Sequence, residues 1–185
     1  MESGKVFKKI SLGGMDITLR SPKIEDVDNL MANFNALIRA RKYVSTEKEH
    51  TRDESYKWLS KCIQDIEDGK AVAVVAEISG KVVGMADIHK RSAPRMSHIS
   101  DFGISVAEEF SGKSIGTELL QTAVSEAEKV LKSRIIMLTV AGPNKPARHL
   151  YEKCGFKTVG VVKKGRIYYG EYIDHVLMAN YLRKD

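Results

Sequence analysis

The sequence predicts an α/β (α+β) fold: a mixed, mostly antiparallel twisted sheet of about seven strands flanked by about four helices, with an extra amino-terminal strand. Three observations carry that prediction. Period-two apolar runs come in pairs across short glycine turns, at Gly13-Gly14 and Ser79-Gly80, as antiparallel hairpins do. Between them lie stretches whose apolar residues recur at helical spacing. The run Arg134-Ile-Ile-Met-Leu-Thr-Val140 is short and almost wholly apolar, as a strand buried on both faces is.

At 185 residues, with no linker, repeat or low-complexity tract, the chain reads as one domain over 1–185, residues 1–14 forming a strand extension. No apolar run reaches the ~20 residues of a membrane span, and Met1-Glu-Ser-Gly-Lys5 is no signal peptide. Two cysteines, Cys62 and Cys154, have no metal or disulfide spacing, so a reducing cytoplasm and no metal are expected. The net charge of +6 suits a polyanionic ligand. The lysines are scattered and the few aromatics form no stacking pattern, which argues against nucleic acid.

The first hairpin spans Val6–Leu12 and Met15–Leu19. Ser21 then reads as a helix cap, with Pro22 at the first helical position. The stripe that follows is Ile24, Val27, Leu30, Met31, Phe34 and Leu37 or Ile38. After a polar link, Arg39 to His50, Thr51-Arg-Asp-Glu54 is a capping box. It opens a helix whose stripe (Trp58, Leu59, Cys62, Ile63, Ile66) places Cys62 in the core. Gly69 ends that helix. Residues 71–78 and 81–88 flank the Ser79-Gly80 turn, and 97–106 form the third strand of a meander. Asp87 and His89 read as ordinary polar residues of an edge strand. Ile115, Leu119, Leu120, Ala123, Val124 and Ala127 make the next apolar helical face. Asn144 caps a short helix ending at Gly155, whose Cys154 looks structural. Residues 157–167 and 168–181 finish as two strands.

The chain is organised around Val106-Ala-Glu-Glu-Phe-Ser-Gly-Lys-Ser-Ile-Gly-Thr-Glu-Leu-Leu120. A strand ends there, and a glycine-spaced turn runs directly into an amphipathic helix. Gly112 and Gly116 let the backbone approach a ligand closely. The free N–H groups of the helix start, at the positive end of its dipole, form a phosphate cradle.

Together with Asn144, Tyr151 seven residues on, and Leu150-Tyr-Glu-Lys-Cys-Gly-Phe156, this stretch resembles the GNAT superfamily of N-acetyltransferases. The order of elements matches over roughly residues 15–180, and Gly170–Met178 is similar to the family's final strand. The resemblance implies a GNAT-like fold with acetyl-coenzyme A as co-substrate. The backbone of Ile104, Ser105 and Val106 would pair with the pantetheine arm. The N–H groups of Gly112, Lys113, Ser114, Ile115, Gly116 and Thr117 would hold the pyrophosphate, and Asn144 would hydrogen-bond the pantetheine chain. The family's pattern has Arg or Gln in place of Ser111 and glycine in place of Ser114, so Ser114 is expected to adopt an ordinary φ.

By the same resemblance Tyr151 is the acid that protonates the leaving thiolate, and the amine attacks directly, without a covalent cysteine intermediate. A main-chain N–H near Val106 would stabilise the oxyanion. Some relatives carry a glutamate base where this chain has Thr139; others use an acidic residue on the strand before the cradle, which points to Asp101. His98 or a water relay are the alternatives, with Ser100 close by. The acceptor is expected between the first helix pair, the 39–50 link and the final hairpin. An amino acid, a polyamine, an antibiotic and a protein amino terminus all stay open, as does a homodimer. Neither nucleic acid nor membrane is expected as a partner. Two other classes compete: a non-catalytic acyl-coenzyme A sensor and a basic nucleic-acid module. Retention of Tyr151 speaks against the first, and salt-dependent nucleic-acid binding would mark the second.

Overall fold

The computed structural model describes residues 2–182; the outermost positions of the expected domain, 1 and 183–185, lie outside the described residues. Among the described residues, eight strands form one sheet: β1 (Val6–Leu12), β2 (Met15–Arg20), β3 (Ala71–Ile78), β4 (Lys81–Lys90), β5 (Ile99–Val106), β6 (Ile135–Ala141), β7 (Lys157–Tyr168) and β8 (Glu171–Tyr181). Their order is β1-β2-β3-β4-β5-β6-β8-β7, and every pair is antiparallel except β5 and β6. Helices α1 (Val27–Arg39) and α2 (Arg52–Glu67) cover one face, and α3 (Ile115–Val130) and α4 (Lys145–Lys153) the other. Among the described residues no helix is long and apolar enough to cross a membrane.

Local chemistry accounts for most of these boundaries. Ser79 and Gly80 both take positive φ (48° and 77°), as a tight two-residue hairpin turn requires. Thr51 and Glu54 complete the capping box of α2, and the Asn144 side chain accepts from Ala147 N–H at the start of α4. Strand β3 alternates between two cores. Ala71, Ala73 and Val75 pack toward α2, and Val72, Val74 and Ala76 toward α3. The run is apolar throughout because both faces are covered.

The start of α1 differs from the sequence expectation. Ser21 does not cap a helix; its hydroxyl donates to Glu2 O (2.7 Å) and accepts from Lys5 N–H (2.9 Å). A 3₁₀ turn at Ile24–Asp26 leads into α1 instead. The cause is a buried ion cluster. Arg20 grips both oxygens of Asp26 at 2.8 and 2.7 Å and Glu77 at 2.7 Å, while Asp26 accepts from Lys23 N–H at 2.7 Å. Removing one partner of such a buried pair costs about 3–5 kcal/mol, so the cluster fixes where α1 leaves the sheet.

Strands β5 and β6 pair at only three positions: Ile99↔Ile135, Ser100↔Ile136 and Asp101↔Met137. Beyond them β5 stays with β4 as far as Val106↔Gly84, while β6 stays with β8 as far as Ala141↔His175. The two strands diverge into a wedge, and among the described residues the outer edge of β5 from Phe102 to Val106 has no strand partner. Aromatic rings brace the wedge on the α4 side: Tyr151 lies 6.1 Å from Phe102 and 6.0 Å from Phe156, centroid to centroid.

Past Val106 the chain turns into α3 through Gly112 at φ 74° and Ser114 at φ 63°, ψ 2°. The ordinary φ expected for Ser114 is thus not what forms. The left-handed residue aims successive N–H groups into one concavity, and the serine side chain makes no cap hydrogen bond in return. A Cβ in this conformation costs roughly 1–2 kcal/mol. Ser114→Gly should therefore be more stable than Ser114→Ala by about 1 kcal/mol, since both lack the hydroxyl. Urea midpoints of the two variants test this, and coincident midpoints would rule out the strain.

Candidate functional site

The wedge opens into a cavity of about 500 Å³. Phe102, Gly103, Ile104 and Ser105 of β5 form one side, with Thr139 and Val140 of β6 and Asn144 and Tyr151 of α4 on the other. Over it lie α1, α2 and the link between them. That link is fastened to the β7–β8 hairpin: Tyr169 Oη donates to Ile38 O at 3.0 Å, and Tyr168 Oη donates to Arg41 O. Arg166 donates to Val44 O, and the Tyr43 and Tyr168 rings stack at 4.7 Å. On the cradle side Lys42 pairs with Glu108 at 2.5 Å. The cavity is therefore roofed rather than an open groove.

The α3 turn presents donors. Among the described residues, the N–H groups of Gly112, Lys113, Ser114, Ile115 and Gly116 meet no backbone or side-chain acceptor, whereas Thr117 N–H is used by Ser114 O at 3.1 Å. Nothing lies within 4 Å of where a Cβ on Gly112 would project. Five main-chain donors at the positive end of a sixteen-residue helix suit a pyrophosphate. The unpaired edge of β5 leads from the cavity to that cradle, and this path fits an extended arm such as pantetheine.

Tyr151 reaches the cavity from a packed position. It is 8% exposed, and burial pushes its phenol up to about 12. Among the described residues no hydrogen bond engages its hydroxyl. Packing and chemistry coincide here, because the ring braces the wedge while the residue lines the cavity.

The structure does not bring Asp101 into this cavity. It sits at the last paired position of β5 and β6, before the wedge opens, and Arg91 holds both its oxygens at 2.6 and 2.9 Å. His98 lies before β5 and is exposed, with its carbonyl taken by Arg134 and Ile135 N–H. Ser100 is buried against Ser133 at 2.7 Å.

The carboxylate that does line the cavity is Asp87. Read as part of an edge strand, it lies instead on the interior strand β4, between Ala73 of β3 and Gly103 of β5. Alternation turns Met85 and Asp87 toward α1 and α2, and Ala86 and Ile88 toward α3. A Cβ at Gly103 would stand 3.1 Å from Asp87 Oδ1, so glycine there makes room for the carboxylate. Behind it His89 Nε2 lies 3.2 Å from Asp87 Oδ2, and that partner raises the imidazole pKa. An aspartate facing inward from an otherwise apolar strand was the available signal. Arg166, Trp58 and His50, which also line the cavity, have no sequence signal of their own.

Neither cysteine lines the cavity. Cys62 is 2% exposed in the core between α2 and the sheet, and burial pushes its thiol up to about 12. Cys154, at the end of α4, is also raised by burial. A thiolate nucleophile is disfavoured at both.

Comparison with known proteins agrees with this geometry. The model of the acetyltransferase (GNAT) family matches residues 34–156. The chain is 37% identical over 106 residues to the L-amino acid N-acetyltransferase AaaT of Escherichia coli, a stretch spanning 57% of this chain and 65% of that protein. It is 30% identical over 169 residues to an N-alpha-acetyltransferase of Saccharolobus solfataricus, covering 90% of this chain and 93% of that one. Among solved structures, an acetyltransferase of the GNAT family from Streptococcus pneumoniae superposes with a TM-score of 0.80 at 26% identity, over 90% of this chain and 99% of that chain. With its wedge, its cradle and this family match, the chain belongs to the acetyltransferase (GNAT) family.

Proposed function

We propose that this protein transfers the acetyl group of acetyl-coenzyme A directly to the primary amine of a small molecule, both substrates being bound at once. The observation that carries the reading is the continuous path from the α3 cradle along the free β5 edge into a roofed cavity lined by Asp87 and Tyr151. Gly112 to Gly116 supply the pyrophosphate donors, with Thr117 at the rim. The main chain of Ile104, Ser105 and Val106 pairs with the pantetheine arm, and Asn144 adds a side-chain contact. The roof favours a small acceptor over a folded protein. The absence of a cysteine from the cavity lining favours direct attack over an acetyl-cysteine intermediate.

Asp87 takes the role first assigned to Asp101. The acceptor amine arrives as an ammonium, and each unit by which its pKa exceeds the pH costs about 1.4 kcal/mol to deprotonate. A carboxylate at the cavity wall attracts the ammonium and accepts its proton, and His89 on the far side is placed to accept it in turn. A β5 main-chain N–H near Val106 faces the developing oxyanion. Tyr151 stays protonated across the neutral range. Full transfer from a phenol near 12 to a thiolate near ~8.5 is uphill by about 5 kcal/mol. Its contribution is therefore a hydrogen bond to the departing sulfur, with solvent completing the protonation.

Saturating acetyl-coenzyme A should raise the melting temperature. At about 100 times the dissociation constant the folded state gains about 2.7 kcal/mol, or several degrees for a domain of this size. No shift at saturation would remove the cradle from the reading. Tyr151→Phe should lower kcat by about 10²-fold while leaving that thermal shift in place. Unchanged turnover in this variant would remove the Tyr151 hydroxyl from the chemistry. Asp87→Asn should lower kcat/KM for the amine by about 10²-fold or more. If Asp101→Asn does this instead, the base is misassigned.

A further inference from the structure

The cavity carries two opposite fixed charges at different walls. Asp87 comes from β4 and Arg166 from β7, and the lining they share includes the apolar side chains of Leu30, Phe34 and Trp58 from the roof and Met85 from the floor. His50 joins this lining with its ring 5.1 Å from Phe34.

Arg166 differs from the cations around it. Arg39 pairs with Glu49, Lys42 with Glu108 and Lys163 with Asp174. Arg41 stands over the Tyr169 ring at 4.7 Å. Glu47 accepts from Tyr169 N–H. Among the described residues no carboxylate meets the Arg166 guanidinium; its one hydrogen bond goes from Nη2 to the Val44 carbonyl. A guanidinium has five donors in a planar fork that matches a carboxylate. Held by the roof at one nitrogen, this fork is pre-oriented, and a partly dehydrated cation without a counter-ion is stabilised by any anion that reaches it.

We infer that Arg166 binds the carboxylate of the acceptor, so that the substrate is an amino acid with an apolar side chain. Its amine lies on the Asp87 side toward the thioester, and its apolar body rests against Phe34 and Trp58. This rests on the acetyltransferase reading and sharpens it. A polyamine would bring only cations to a cavity that already holds Arg166. A peptide amino terminus has no free carboxylate near its amine.

The test measures acetyl-coenzyme A-dependent thiol release with matched acceptors, L-leucine against L-leucinamide and L-phenylalanine against L-phenylalaninamide. The acid should exceed its amide in kcat/KM by roughly 10- to 100-fold, the range of a hydrogen-bonded charge pair, mostly through KM. In Arg166→Gln that ratio should collapse toward one, and Arg166→Lys should keep part of it. A wild-type preference for the amide, for spermidine or for a short peptide overturns the inference and leaves the acetyltransferase reading standing. So does an Arg166→Gln variant that slows both acceptors equally, because Arg166 would then only tie β7 to the roof through Val44. Failure of every amine to release thiol, despite a thermal shift with acetyl-coenzyme A, sinks the transferase reading itself.

Discussion

The parting of β5 and β6 is the constraint from which the rest of the site follows. Two parallel strands that share three paired positions leave the groups of β5 that point away from β4, from Phe102 onward, without a strand neighbour among the described residues. Buried main-chain donors and acceptors are normally satisfied, so a free edge inside a domain must meet water or a ligand. Each strand follows its antiparallel partner, β4 or β8, and three aromatic rings fill the space beneath. The gap is thereby held open in the interior of the sheet, between β4-β5 and β6-β8.

That opening also separates the site's functions by element. The cradle is built from main chain alone, so side chains such as Ser111 tolerate substitution, whereas Ser114 bears strain because its φ is fixed by where α3 must point. Tyr151 and Asp87 reach the cavity from opposite sides of the wedge, one from α4 and the other from β4. The roof and the β7–β8 hairpin enclose the cavity. These are joined by hydrogen bonds from Tyr168, Tyr169 and Arg166 to carbonyls of the α1–α2 segment. The arginine that lines the cavity is thus also one of the contacts that close the roof.

What the sequence disclosed was governed by short-range chemistry. The hairpin at Ser79-Gly80, the capping box at Thr51 and the Asn144 cap each depend on residues within four positions of one another. So does the glycine-spaced turn before α3. All form where expected, and the family resemblance followed from their order. The start of α1 was misplaced because Arg20, Asp26 and Glu77 meet only once β2 and β3 pair. Asp87 was set aside as an edge-strand residue, although the expected meander of 71–78, 81–88 and 97–106 already put its strand in the middle; what nothing local reveals is that Gly103 stands opposite. Asp101 lies two residues from Gly103 on the same face of β5, yet belongs to the paired half of the strand. Arg166 reaches the cavity only through a contact with Val44, across 122 residues of sequence.

Asp87 shows how the site and the sheet compete. An interior strand is stabilised by apolar residues on both faces, and burying an apolar side chain there contributes about 1.5–3 kcal/mol. A carboxylate at that position gives up this stabilisation and must also keep its hydration or gain partners. The structure supplies both. Gly103 clears the space beside it, His89 stands on one side, and the wedge leaves the side chain 24% exposed. Were β6 to remain paired with β5 past Asp101, the cavity would close over Asp87 and the ion would lose its water. The divergence that frees a strand edge for the acyl donor is therefore also what makes a charged residue tolerable in the centre of the sheet.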